Sequence, residues 1–226
     1  MNSENGKQDH PIKKILESAL LKNILFTIGA IILFLAGIIV YGIILNLREI
    51  PLSEAMNQKG FRKLESPNIL IDRKTYTLRI YEDTVFIKSY RASFGRNLTE
   101  KKKRANDGAT PVGDYKICSI ENDQAYYKFL KLNYPNLEDA VDALRGGIIT
   151  QREFNDLKFQ FYYEDCIDPN TVLGGNVGIH GLGRLNLFFE NLPFVYNWTD
   201  GSIAISNENL DEILTVVRKG TKVVIK

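Results

Sequence analysis

His180 and Ser202 are the side chains of this sequence best placed for chemistry. The chain holds two histidines, His10 and His180, and imidazole is the side chain whose unperturbed pKa suits proton transfer near neutrality. His180 ends the run Val177-Gly-Ile and precedes Gly181, a residue that lets backbone or substrate approach closely. Ser202 follows Gly201 at a turn-to-strand junction, where a nucleophile is exposed and successive backbone N–H groups can converge on an oxyanion. A hydroxyl is far less acidic than a thiol and must lose its proton during attack, so a serine nucleophile here needs a base. Against this stands the bland alternative, a lone structural histidine in a strand and an ordinary turn serine.

The elements that must position this pair begin with an apolar N-terminal stretch. Ile24 to Leu45 carries no charged residue and exceeds the roughly 20 residues an α-helix needs to cross hydrocarbon. A core helix would show a polar face, and no small-x-small cleavage site follows the run, so it reads as an uncleaved transmembrane anchor rather than a signal peptide. Lys13, Lys14 and Lys22 precede it and Arg48 follows, which puts the N-terminus, with His10, in the cytoplasm and everything beyond outside a cytoplasmic membrane. The division expected is a cytoplasmic tail (1–23), the anchor (24–45), a polar spacer or short helix lifting the rest off the bilayer (46–66), and one outer domain (67–226). A formal net charge of +2 over 226 residues argues against nucleic acid as a partner.

The outer part reads as mainly β with helices. Asn68 to Asp72, Thr75 to Tyr81 and Thr84 to Tyr90 alternate as strands of an antiparallel pattern, and Asp114 to Ser119 follows the turn Asp107 to Gly113. Leu137 to Leu144 and Thr150 to Phe161 have helical spacing, separated by Gly146-Gly147. Val177 to His180 and Ser202 to Ser206 read as short buried strands. A last helix opens with Asn207 as its cap and runs to about Lys219, before a closing strand from Thr221 to Ile225. The basic run Lys101 to Arg104, set among polar residues, reads as a solvated loop. Cys118 and Cys166 face a compartment where pairing is permitted, but the sequence does not show that their Cα atoms come close enough, and two free, mostly buried thiols are expected over a bridge. One outer histidine and no C-x-x-C leave no zinc site, and no phosphate-loop pattern is present, so no metal or cofactor is expected.

Four separated segments of this outer part resemble, in order, the YkuD-type L,D-transpeptidase catalytic domain. Asn68 to Asp72 with the following Leu-Arg-Ile-Tyr is similar to its opening hairpin, and Asp107 to Tyr115 (DGATPVGDY) to its D-G-x-T-P-x-G-x-Y turn. Leu132-Asn-Tyr-Pro-Asn136 with Asp139-Ala140 resembles the L-x-Y-P-N insertion of one branch. Val177 to Gly181 and Trp198 to Asn207 resemble that branch's I-H-G and W-T-x-G-C-I-A segments, with Ser202 at the cysteine position. Many relatives carry a second histidine where this chain has Asp200, and an arginine or asparagine where it has Ala204. The resemblance implies a cysteine-type acyl transfer in which a donor-peptide carbonyl is captured as a thioester and released to an amine. It assigns His180, Gly201 and Ser202 to catalysis and Gly181, Trp198, Thr199 and Asp200 to the substrate, here peptidoglycan stem peptides.

Ser202 then admits three readings: a degenerate position in a non-catalytic relative, a retuned serine nucleophile, or an engineered substitution. Leu182 to Asn197 lengthens the interval between His180 and Ser202 with an apolar loop carrying Phe188, Phe189, Phe194 and Tyr196. That loop either walls one side of the groove or simply packs against the domain or a membrane surface.

Overall fold

In the computed structural model the residues described are 19–46, 49–192 and 194–226. His10, Lys13, Lys14 and Arg48, on which the tail and its charge bias were read, lie outside them. The first helix, α1 (Ala19–Asn46), is long and apolar enough to cross a membrane. It is followed by α2 (Leu52–Gln58), β1 (Pro67–Asp72), β2 (Thr77–Glu82), β3 (Val85–Arg91), β4 (Gly113–Asp123) and β5 (Tyr127–Leu132). Then come α3 (Leu137–Arg145), α4 (Gln151–Tyr163), β6 (Gly178–Gly181), the short α5 (Asn186–Phe189), β7 (Ile203–Ile205), α6 (Asn207–Leu214) and β8 (Lys222–Ile225).

The strands form one mixed sheet in the order β3-β2-β1-β8-β4-β5-β6-β7. Most neighbours are antiparallel, as the alternating runs predict, but β1 pairs with β8 and β6 with β7 in parallel. The two ends of this order meet. Ser93, two residues beyond β3, exchanges both backbone hydrogen bonds with Ala204 of β7 at 2.8 and 2.9 Å, so the sheet curls until its edges touch and neither is left open there. Ile69, Ile71, Leu78, Ile80, Leu130, Ile179, Ile203 and Val223 fill the interior with 0% exposure, together with Leu210 and Ile213 from α6.

Several expectations are corrected. The segment expected as a polar spacer or short helix does contain a short helix, α2, but Leu52, Ala55, Met56 and Leu64 are buried in the same core as the strands, and Leu52 N–H donates to Glu212 Oε1 at 3.2 Å. The apolar residues of that segment looked weakly periodic because they are few, yet these four find the core while Ile50 stays exposed. The last helix ends at Leu214 rather than near Lys219, and its cap is Ser206, whose hydroxyl accepts from Asn209 N–H. The strand β5 lacks clean alternation in the sequence, with Lys128 and Lys131 among its apolar residues. Cys118 and Cys166 are not free but form a disulfide with Cα atoms 5.3 Å apart; spacing along the chain carried no information about this distance in space.

The helices α3 and α4 build a second, small core of Ala140, Ala143, Ile149, Leu157, Ile167 and Leu173. Asn136 and Asp139 form a reciprocal capping box at the start of α3, and Thr150 and Glu153 another at α4. This unit is fastened to the sheet by the disulfide, by Tyr134 Oη donating to Leu173 O at 3.3 Å, and by Lys131 Nζ donating to Ile167 O at 3.1 Å.

Candidate active site

Parallel pairing of β6 with β7 sets His180 opposite Ala204. Because successive side chains of a strand alternate in direction, Ser202, two residues before Ala204, falls on the same side as His180. Both line one cavity of about 310 Å³, together with Trp198, Thr199, Asp200, Tyr126, Phe129, Asn176 and Lys102. Gly181 and Gly201 shape this cavity without lining it.

His180 is buried, 3% exposed, inside an aromatic cage. Phe129 is stacked on it at 6.0 Å between centroids, Tyr126 lies at 4.6 Å, and Trp198 meets it edge-on at 5.7 Å. The imidazole Nδ1 lies 2.8 Å from Gly181 O. A carbonyl only accepts, so Nδ1 carries the proton and Nε2 is the unprotonated nitrogen of the neutral ring. Burial pushes the His180 pKa below its ordinary value, against smaller opposing effects of the Gly181 carbonyl and Asp123. The ring is thereby kept neutral and fixed in the tautomer of a general base.

Ser202 Oγ accepts from Gly178 N–H at 3.2 Å and donates to Asn176 O at 3.4 Å. Among the described residues, Ser202 and His180 form no hydrogen bond with each other. The hydroxyl rests against the backbone at the entrance to β6, and attack would require it to leave that seat.

The loop before Ser202 is held from two sides. Thr199 Oγ1 donates to Ser202 O at 2.6 Å and accepts from Gly201 N–H at 3.2 Å. Thr199 N–H donates to Phe94 O, Arg96 N–H to Thr199 O, and Phe94 N–H to Asn197 Oδ1, stitching residues 197–199 to the strand extension 94–96. Arg96 also pairs with Asp200 at 2.6 Å on the surface. Gly201 has φ +127°, and a Cβ there would sit 2.6 Å from Ala109 O. Only glycine fits that position without strain.

Ala109 belongs to the Asp107-Gly-Ala-Thr-Pro turn, whose role is now visible as the floor beneath Gly201. Thr110 Oγ1 accepts from Gly95 N–H at 2.9 Å. Asp107 accepts from Lys103 N–H, Arg104 N–H, Ala109 N–H and Lys102 Nζ. Burial, the largest single influence, pushes the Asp107 pKa up, but these donors together outweigh it and hold the carboxyl below its ordinary value. Lys102 therefore corrects the solvated-loop reading: its side chain is 3% exposed and pairs with Asp107 at 2.9 Å, whereas Lys101, Lys103 and Arg104 are exposed. The signal was Asp107 five positions on, hidden by the three flanking cations.

The space beside Gly181 is filled by the protein itself. A Cβ there would meet Asn207 Oδ1 and the Tyr126 carbonyl, and Asn207 bridges to Gly183 N–H and O at 3.0 and 3.1 Å. Sequence reasoning missed Tyr126, Phe129 and Asn207, since aromatic and amide residues in a strand and at a helix start look like ordinary structure. The apolar loop does not wall the His180 cavity as one reading held. Leu187, Phe189, Phe194 and Tyr196 line a separate cavity of about 440 Å³, and among the described aromatic residues of the loop Phe189 alone reaches back, stacking on Trp198 at 6.2 Å.

A curled mixed sheet thus presents a neutral, tautomer-fixed histidine and a glycine-preceded hydroxyl in one cleft. Residues 66–225 match the YkuD L,D-transpeptidase catalytic domain, and the chain belongs to that family. Solved structures are similar in fold. The helical cell shape determining protein Pgp2 of Campylobacter jejuni shares 23% identity over 72% of this chain and 47% of its own, with a TM-score of 0.48. An L,D-transpeptidase of Xylanimonas cellulosilytica shares 16% over 78% and 70%, with a TM-score of 0.41. Bd1075 of Bdellovibrio bacteriovorus shares 17% over 72% and 48%, with a TM-score of 0.45. The chain thus spans about half the length of the Pgp2 and Bd1075 chains. No curated protein matches it.

Proposed function

We propose that this chain is a single-pass, membrane-anchored L,D-transpeptidase-like protein whose outer domain acts on or binds peptidoglycan stem peptides, with Ser202 standing where relatives carry the nucleophilic cysteine. The observation that carries this reading is the shared cleft of His180 and Ser202, with the imidazole neutral and its Nδ1 committed to Gly181 O. In the reaction, Ser202 Oγ leaves Gly178 and Asn176 and attacks the donor-peptide carbonyl carbon, while His180 Nε2 takes the hydroxyl proton. The C–N bond to the leaving amine breaks, the imidazolium returns that proton to the amine, and an ester on Ser202 remains. An acceptor amine, or water in a hydrolase, then attacks the ester and restores Ser202.

Gly201 N–H is occupied by Thr199 Oγ1, so the oxyanion role falls to Ser202 N–H, for which no side-chain acceptor lies among the described residues. Trp198, Thr199 and Asp200 contribute the cleft face that meets the peptide. The Cys118–Cys166 bridge supports an outer, oxidising location with the N-terminus in the cytoplasm, since disulfides persist there. The division into tail, anchor and outer domain follows from the same topology.

A second reading, a pseudoenzyme that binds wall peptides or regulates an active paralogue, is favoured by the Ser202 hydroxyl being seated on backbone groups rather than on His180. Mass spectrometry of wall peptides incubated with the full chain, compared with Ser202→Cys, separates these readings. Turnover by both forms sinks the pseudoenzyme; binding without turnover by either sinks the transpeptidase. Because both native cysteines are paired, the thiol of the variant is the one free thiol to follow.

A further inference from the structure

The apolar loop between His180 and Ser202 is built to face outward. Leu187 is 74% exposed, Phe194 58% and Tyr196 59%, with Leu185 and Phe188 also exposed. The backbone beneath them is held firmly. Arg91 donates to Leu192 O at 2.6 Å and to Glu190 O, and the Asn186 amide bridges Glu190 and Glu208 at 2.8 and 2.7 Å. Asn191 is 2% exposed, and its side-chain amide donates to Leu187 O at 2.7 Å. These apolar side chains are therefore held by a fixed scaffold and left more than half exposed, Leu187, Phe194 and Tyr196 at the open side of the cavity of about 440 Å³.

What covers them is indicated by α1. Gly42 is buried while its helix neighbours are exposed, and a Cβ on it would run into the Asn191 backbone. Gly42 lies inside the apolar span, which ends at Ile44. At 1.5 Å per residue, the loop touches α1 about 3 Å short of the end of that span. Anything in contact with Gly42 is at the outer boundary of the hydrocarbon if α1 crosses the membrane. The link to the domain is short as well, since α1 ends at Asn46 and α2 begins at Leu52.

We infer that residues 185–192 and 194–196 form a membrane-docking face, with Leu187, Phe188 and Phe194 entering the outer leaflet and Tyr196 lying at the headgroup level, where its ring and hydroxyl each meet a suitable phase. This rests on the proposed anchoring of α1. Its consequence reaches the site, because Phe189 of the same loop stacks on Trp198, which packs against His180. Docking fixes the height and tilt of the cleft, so the enzyme addresses wall peptides close to the membrane surface instead of swinging on a tether.

The test uses the full chain in phosphatidylglycerol-containing proteoliposomes, with Leu187→Cys or, as a reference on the exposed face of α4, Phe159→Cys, each labelled with an environment-sensitive fluorophore. The label at 187 is expected to be quenched several-fold more by headgroup-proximal nitroxide lipids than by aqueous iodide, and the label at 159 the reverse. Equal iodide access at both positions overturns the inference. So does shielding of position 187 from iodide without lipid quenching and with crosslinked dimers, which would make the occupant a second copy. Alkaline extraction keeps the two failures apart: a chain that stays in the membrane with a wet position 187 loses only the docking face, whereas a chain that is extracted loses the anchor and the docking face together.

Discussion

At the level of single residues, the proposed chemistry depends on what holds His180 and Gly201. Since burial lowers the His180 pKa, the acid limb of acyl transfer by the Ser202→Cys form should fall below the ordinary histidine range, near 6.5; a limb at or above 6.5 in the pH profile of kcat/KM would contradict the assigned state. The same depression predicts that stability is lost as pH falls from the unfolded value through the folded one, because the buried neutral ring must then take a proton. Gly201→Ala should abolish acylation and cost about 1–3 kcal/mol, since it places a Cβ against Ala109 O at a φ that side chains rarely adopt; urea unfolding reads the cost. Lys102→Met should cost about 3 kcal/mol by leaving the Asp107 carboxylate without its buried cation. Of these residues, His180 and Gly201 were legible as site residues because a motif framed them. Lys102 was not, because burial of one lysine among four consecutive cations is a property of the fold and not of the run.

Among the elements, the disulfide and the loop carry the measurable consequences. The Cys118–Cys166 bridge closes a separation of 48 residues that contains α3 and α4, and the chain-entropy estimate for a loop of that size is about 4 kcal/mol. Reduction, or Cys118→Ala with Cys166→Ala, should lower Tm correspondingly and loosen the small α3–α4 core first, as hydrogen exchange would show. On the loop, burial and the nearby Glu208 carboxyl push the Glu190 pKa up to about 7, while Glu208 is held below its ordinary value. A raised folded pKa contributes stability that is present below the unfolded value, about 4.5, and lost as pH rises through about 7. Glu190→Gln should flatten the pH dependence of Tm across that window; an unchanged slope would contradict the raised Glu190 pKa. The strands and helices were mostly readable, because alternation and capping boxes such as Thr150 with Glu153 are local. The disulfide was misread because it joins residues 48 apart, and the burial of α2 was not foreseen because its core partners lie far along the chain; β5 went unseen because Lys128 and Lys131 break its alternation, although its hairpin partner β4 is adjacent.

For the whole molecule, the parallel β1–β8 and β6–β7 pairings and the edge contact at Ser93 and Ala204 turn a hairpin-rich chain into a curled sheet with its cleft beside β6 and β7. No local pattern announces such a closure. It is what brings the Asp107 to Pro111 turn under Gly201 and the extension after β3 against Thr199, so that three distant motifs become one site. The apolar loop between the two site strands sits on the α1 side of the same domain, which under the proposed anchoring of α1 ties the position of the cleft to the membrane. The proposed mechanism requires this cleft to form an acyl intermediate at position 202 with His180 as base. Intact mass measurement of the full chain incubated with a tetrapeptide donor tests it directly. The Ser202→Cys form should gain the mass of the acyl fragment, and His180→Gln in that background should lose the adduct while retaining the fold. A Ser202→Cys chain that binds the donor yet never gains mass would contradict that mechanism.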